Sequence, residues 1–249
     1  QTIDGVSQYL DLYVPAKQLG AEPWVEYEAP AKPVLVYFHG GGWVTGERTS
    51  RFLGLLPYLK QGWAVVNVDY RLLDETDLEG CIRDCEAALQ WVLDHADTYH
   101  LDTSHLFVSG ESAGGHLALM TAMRGHFPQI NGVINWYGVT DLAEAVNFWQ
   151  DRAYLAQIIQ APLSDTLAFY RQYSPAQLAY PSTPPVITLH GTADENVPVS
   201  QAEALHQALD QAGIRNQLIL IPNQKHGGFQ AADYARGFEA IWDFFLPLP

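Results

Sequence analysis

The stretch Leu106-Phe107-Val108-Ser109-Gly110-Glu111-Ser112-Ala113-Gly114-Gly115-His116-Leu117-Ala118-Leu119-Met120 decides how this chain is read. Its first four residues form an apolar, strand-like run and its last five a helical one, with a G-x-S-x-G pattern between them. That pattern is common by chance, but strand, turn and helix in this order are the setting that a nucleophile elbow demands. The serine at the apex of such a turn takes a strained backbone, and small residues at 110 and 114 let neighbouring backbone pass close by. The Ser112 hydroxyl would then project above the sheet, with the amide-rich start of a helix facing any negative charge that develops there. The plainer alternative is a glycine-rich turn with a helix-capping serine.

Working outward, short Val-, Tyr- and Leu-rich runs alternate with helical patterns. Extended chain is expected over 9–14, and buried strands over 33–38, 64–68, 106–109, 133–137, 186–189 and 217–221. Helices are expected near 49–60 and 78–96, through Leu117 and Met120, through Ala202, Leu205 and Leu209, and through Phe238, Ile241 and Phe245, where apolar residues recur at helical spacing. Near-continuous apolar strands alternating with helices argue an α/β fold, a mostly parallel sheet covered on both faces. Residues 138–180 break the rhythm and read as a small helical insertion, too short for a core of its own. One domain over residues 1–249 is expected.

A serine hydroxyl is a weak nucleophile and needs a base and an orienting acid, which in a fold of this type follow in the order Ser, Asp, His. The strand at 186–189 leads into His190-Gly191-Thr192-Ala193-Asp194-Glu195, and the strand at 217–221 into Lys225-His226-Gly227-Gly228. In a parallel sheet both loops leave the same edge as the Ser112 turn, so Asp194 and His226 are the candidates. Glu195 is the neighbouring carboxylate, but adjacent loop residues usually point apart. Among the nine histidines, His39 and His190 close strands and read as loop-orienting groups, His116 is too near Ser112 in sequence to serve as base, and His95, His100, His105, His126 and His206 read as helical, surface or connecting.

Acyl transfer also needs backbone N–H donors at the carbonyl oxygen. His39-Gly40-Gly41-Gly42-Trp43 follows a central strand, and the amides of Gly41, Gly42 and Ala113 are the candidates. A phosphate loop does not fit, since neither G-x-x-x-x-G-K-[ST] nor a G-x-G-x-x-G after the first strand is present. No H-E-x-x-H or other ligand spacing calls for a catalytic metal. Trp43, Trp136, Tyr137, Phe148 and Trp149 are candidates for an apolar pocket and equally for core.

Composition bounds the rest. Asp and Glu number 28 against 13 Lys and Arg, a formal charge of −15 that argues against nucleic acid or an anionic membrane as partner. No apolar run reaches the length of a membrane span. Cys81 and Cys85, four apart on one helix, suit neither a disulfide nor a metal site and read as ordinary thiols. Gln1-Thr2-Ile3-Asp4 carries neither a starting Met nor a basic, apolar leader, which leaves two compartments open: cytoplasmic, or secreted with a leader already removed.

Together these motifs resemble the α/β-hydrolase superfamily, and within it the esterases with an H-G-G-G loop and a G-[ED]-S-A-G-G elbow, hormone-sensitive-lipase-like carboxylesterases included. The likeness runs from Leu10-Asp11-Leu12-Tyr13-Val14-Pro15 through Asp69-Tyr70-Arg71-Leu72 and Tyr137-Gly138-Val139-Thr140-Asp141-Leu142 to His226-Gly227. Only 38 residues precede His39 and they read as strand and turn, with no large N-terminal cap. That layout is more similar to small feruloyl-esterase-like and acetylxylan-esterase-like members, with kynurenine formamidases as near relatives. The resemblance implies a Ser112–Asp194–His226 triad, no cofactor, and a small-molecule ester as partner, with an acylated plant-derived ester among the options. A missing cap argues against long-chain lipase work. An arylformamidase using the same triad, and a binding protein on an inactive hydrolase fold, are the alternatives. Oligomeric state is not readable.

Overall fold

Seven strands form one sheet in the order β3-β5-β4-β6-β7-β8-β9, described by a computed structural model over residues 2–3, 5–15, 31–149 and 166–246. The strands are β3 (Leu10–Tyr13), β4 (Lys32–Phe38), β5 (Ala64–Val68), β6 (Leu101–Glu111), β7 (Ile130–Trp136), β8 (Val186–Gly191) and β9 (Asn216–Ile221). A separate two-stranded ribbon joins β1 (Thr2–Ile3) to β2 (Val6–Ser7). Only the β3–β5 pair is antiparallel; every other pairing in the seven-stranded sheet is parallel. The mostly parallel sheet expected from the apolar runs is therefore present. Its central strands read as continuous apolar segments because both their faces are covered: all five residues of β5 are buried.

Two cores flank the sheet. One gathers Val34, Val36, Val108, Leu117 and Leu205 beneath α2 (Leu78–Asp94), α4 (Ala113–Met123) and α7 (Val199–Gln211). The other gathers Leu35, Phe107, Trp136 and Ile241 beneath α1 (Phe52–Lys60) and α8 (Ala231–Phe245). Helix α4 is buried on every side, as expected of a helix apolar all round rather than along one stripe. Helix α2 starts where Asp77 caps it by accepting from the Gly80 amide at 2.8 Å.

Several boundaries differ from the sequence reading. Strand β6 begins at Leu101, not 106, because its polar start pairs Leu101 and Asp102 with Lys32 and Pro33 before the register shifts. Helix α2 stops at Asp94, and a one-turn helix α3 (Ala96–Tyr99) follows, ended by His100 in a left-handed conformation. Residues Arg48–Arg51 form a 3-10 turn ahead of α1. Of the expected insertion, α5 (Leu142–Phe148), α6 (Thr166–Gln172) and a 3-10 turn (Pro175–Gln177) are helical, while 150–165 lie outside the described residues. So do residues 16–30, part of the segment read as strand and turn ahead of His39. Cys81 and Cys85 are free, buried thiols. No helix among the described residues is long and apolar enough to cross a membrane.

The turn after β5 is locked to α2 by a buried ion pair. Arg71 donates from its backbone N and Nε to Asp84 Oδ2 at 2.8 and 2.9 Å, and from Nη2 to Oδ1 at 2.8 Å. Removing one member of a buried pair strands the other charge. Asp84→Ala should lower stability by about 3–5 kcal/mol in urea unfolding; a loss within error of zero would show that the pair does not brace this turn.

Candidate active site

Ser112 stands between β6 and α4 with φ +54° and ψ −118°. Its amide donates to Trp136 O on the neighbouring strand at 2.9 Å. The turn closes this tightly because of what sits beside it: a Cβ at Gly114 would lie 2.0 Å from Phe38 O, and one at Gly110 would lie 2.3 Å from the Gly114 carbonyl. Only glycine allows α4 to begin against the end of β4. Five non-glycine residues have positive φ among the described residues, and Trp43, Ser112 and Tyr137 line one cavity. Concentrated backbone strain of this kind is typical of functional sites.

The loops after β8 and β9 converge on that serine. Ser112 Oγ lies 2.9 Å from His226 Nε2, and His226 Nδ1 lies 2.7 Å from Asp194 Oδ2. With Nδ1–H donating to the carboxylate, Nε2 is left to accept the serine proton. Asp194 Oδ1 accepts from the amides of Asn196 and Val197 at 2.8 and 2.9 Å. Burial by itself would raise the Asp194 pKa, but the hydrogen bond and charge of His226 and those two amides outweigh it, and the carboxyl is held below its usual range. Glu195, the rival carboxylate, points outward to Lys225 at 3.2 Å. Asp194, and not its neighbour, faces the imidazole.

Gly40, Gly41, Gly42, Trp43 and Ala113 line the same cavity of about 260 Å³ as Ser112 and His226. The Gly41 carbonyl accepts from the amides of Val44 and Thr45, turning the loop back on itself. Among the described residues, no protein acceptor takes the N–H of Gly41, Gly42 or Ala113. The loop is held from beneath: Tyr70 donates to His39 O at 2.9 Å and stacks on the His39 ring, and the Leu73 amide donates to Trp43 O. Tyr70, quoted above within Asp69-Tyr70-Arg71-Leu72 only for its resemblance, thus brackets the glycine loop together with Leu73.

The five aromatic candidates divide. Trp43, Tyr137 and Trp149 line the Ser112 cavity, with Trp149 donating to Asn196 O at 2.6 Å. Trp136 does not: it is buried under α8, donates to Tyr58 OH at 3.3 Å and faces a second cavity. Phe148 is 49% exposed on α5 and is not among the described residues lining either cavity. Sequence reading missed Arg51 and Glu111, which also line the site and pair at 2.6 Å. Nothing local marks the pairing, since the two are sixty positions apart. Among the described residues no three His, Cys, Asp or Glu side chains gather as a metal-holding group.

The BD-FAE family model matches residues 10–209, from the start of β3 into α7. The chain belongs to the BD-FAE family. The match takes in Ser112 and Asp194 and stops short of His226. Esterase LipC of Mycobacterium tuberculosis is 29% identical over 240 residues, 86% of this chain and 57% of that protein. Isoprenylcysteine alpha-carbonyl methylesterase ICME of Arabidopsis thaliana is 22% identical over 247 residues, 92% of this chain and 56% of that protein. The chain therefore spans little more than half the length of these curated relatives. A thermophilic esterase from Thermogutta terrifontis, with propionate bound, superposes with a TM-score of 0.79 at 26% identity, covering 99% of this chain and 91% of that one. The fold of this BD-FAE member is that of the α/β-hydrolases, as the motifs implied.

Other histidines of the BD-FAE chain are buried in fixed hydrogen bonds away from the Ser112 hydroxyl. His39 Nδ1 lies 2.8 Å from Gly40 O, and His190 Nε2 donates to Val197 O at 2.9 Å, which shapes the Asp194 loop. His206, read as helical or surface, is buried and meets Asn216 Oδ1 at 2.6 Å. His116 is fully buried beneath Trp43 and donates from Nε2 to Tyr173 O at 2.9 Å. Burial pulls its pKa down to about 4 against the partial opposition of that carbonyl. The unfolded chain takes up this proton near pH 6.5 and the folded one only near 4, so folding stability falls as the pH falls through that window. His116→Gln should lack this share, and its unfolding free energy should drop less between pH 7.5 and 5 than the parent's, by about 2 kcal/mol. Parallel slopes for the two proteins would show that His116 is not buried neutral.

Proposed function

We propose that this chain is a serine carboxylesterase that hydrolyses small esters with short acyl or aromatic acid groups through an acyl-serine intermediate. The observation that carries the reading is His226, which bridges Ser112 Oγ at 2.9 Å and Asp194 Oδ2 at 2.7 Å beside three backbone amides that no acceptor among the described residues takes. Esterase names among its relatives support it, as does the propionate-bound esterase that shares its fold.

In this reading His226 takes the Ser112 proton as Oγ attacks the ester carbonyl, while Asp194 holds the imidazole tautomer and stabilises the imidazolium. The amides of Gly41, Gly42 and Ala113 receive the oxyanion at the start of α4, where the helix dipole adds to them. His226 then gives its proton to the departing alcohol. Water, deprotonated by the same imidazole, attacks the acyl-serine, and the acid leaves as Ser112 recovers its proton. Trp43, Tyr137 and Trp149 wall the space for the group next to the carbonyl. Residues 1–249 act as one domain in this account, and the 138–180 insertion contributes Val139 and Trp149 to that wall.

The test is a matched panel of p-nitrophenyl acetate, butyrate and decanoate, methyl ferulate, acetylated xylan and N-formylkynurenine. Ser112→Ala should lose about 10,000-fold or more in kcat/KM on whichever substrate leads. The expected order places a short acyl ester or the ferulate first and the decanoate last. A lead for N-formylkynurenine would move the function to a formamidase, and parental activity in Ser112→Ala would remove Ser112 from the mechanism.

A further inference from the structure

A second cavity of about 680 Å³ opens beside the Ser112 cavity, on the side of the sheet covered by α1 and α8. Its walls are largely aromatic, with Phe52, Tyr58, Trp136, Tyr234 and Phe238 among them. Leu53 at its edge is 76% exposed, an apolar side chain on a helix whose own packing does not use it. Apolar walls with a few fixed polar groups are the usual makeup of a small-molecule site.

The two cavities are not independent. Arg51, Glu111 and Tyr137 line both. Glu111 joins the other two, accepting from Arg51 Nε at 2.6 Å and from Tyr137 OH at 2.7 Å, so both its oxygens are engaged. Tyr137 packs edge-on against the His226 ring with centroids 4.9 Å apart. The Arg51 side chain is half exposed, and among the described residues its Nη1 and Nη2 have no protein acceptor. A guanidinium held at Nε by a carboxylate keeps its outer fork for a ligand oxygen.

We propose that the second cavity is a substrate subsite for an aryl group bearing an oxygen acceptor, reached across the Arg51–Glu111–Tyr137 partition, with Arg51 as the residue that reads the oxygen. Size divides the ester between the two spaces. The Ser112 cavity, about 260 Å³, accepts the small portion, and the second, about 680 Å³, the larger flat one. The proposal rests on the ester-hydrolase reading above and adds to it a place for the larger half of the substrate.

Gly54 supplies the test. Of the two cavities it lines only the second, and a Cβ there meets no atom within 4 Å, so a large side chain can be placed at this wall without displacing backbone. Two ester series are measured, each with methyl acetate as the small reference. The first is benzyl and 4-methoxybenzyl acetate, and the second is methyl 3-phenylpropanoate with its 4-methoxy analogue. The parent should favour the aryl ester over methyl acetate in at least one series, and Gly54→Trp should cut that ratio by about tenfold or more. Arg51→Met should reduce the preference for methoxy over plain aryl while leaving an aryl preference. Gly54→Leu serves if the tryptophan variant does not fold. An unchanged aryl ratio in a folded Gly54 variant overturns the subsite.

If no ester is turned over at all, the function proposed above fails, and calorimetric titration of 4-methoxybenzyl alcohol into the parent decides the cavity separately. Saturable binding that weakens in the Gly54 variant supports the subsite. Absence of binding to the parent, or equal binding to both proteins, overturns it.

Discussion

Helix α4 begins in direct contact with the last carbonyls of β4: a Cβ on Gly114 would sit 2.0 Å from Phe38 O and 2.5 Å from His39 O. That approach forces the chain through a turn too sharp for ordinary backbone, and Ser112 absorbs it at φ +54°. The rest of the site hangs on this contact. It aims the Ser112 hydroxyl away from the sheet, leaves the Ala113 amide at an uncapped helix start, and sets that amide beside the glycine loop that continues from β4. Strain there is stable because β6 is paired on both sides, with β4 and β7, and cannot relax by moving.

Around the elbow, the protein spends its buried polar groups on holding loops. Tyr70 carries the glycine loop through His39, and Arg71 is fixed in turn by Asp84. His190 holds the Asp194 loop through Val197 O, and the hydrogen bond and charge of His226, helped by two amides of that loop, hold the Asp194 carboxyl below its usual range against the effect of burial. Each histidine used in this way is buried with a lowered pKa, so it stays neutral and serves as a fixed donor. His226 differs in position: its ring stands between a carboxylate and a hydroxyl, the arrangement that lets one imidazole receive and return a proton.

The aromatic residues show where pattern reading stops. Trp43, Trp136, Tyr137, Phe148 and Trp149 were equivalent candidates on the page, yet they occupy different surroundings. Trp136, the last residue of β7, packs under α8, whereas Tyr137 lies just past the strand with φ +42°, and that turn of the backbone carries it to the Ser112 edge while it keeps a place in the same core. Phe148 and Trp149 part company where α5 ends, one toward solvent and the other onto the Asp194 loop. Hydrophobicity places none of these; the direction of the side chain does, and that depends on the element's register. The start of β6 was missed for a related reason. Asp102 to His105 are polar, and only pairing with β4 extends the strand back to Leu101.

The sequence by itself determined the parallel sheet, the tight turn at Ser112, the glycine loop, and the order in which Ser112, Asp194 and His226, which meet in space, come along the chain. These are short-range matters: apolar runs of strand length, glycines where backbone must pass backbone, and turn residues at strand ends. Tertiary structure alone decided that Glu111 is shared by Arg51 and Tyr137, that Tyr70 and Leu73 brace the glycine loop at His39 and Trp43, and that a second aromatic cavity adjoins the first. Those hydrogen bonds join residues from 26 to 60 positions apart, and the walls of the second cavity reach further, from Tyr37 to Phe238. No local pattern encodes a pairing at that range, because it is set by how β4, β6 and β7 stack and by which helices close over them.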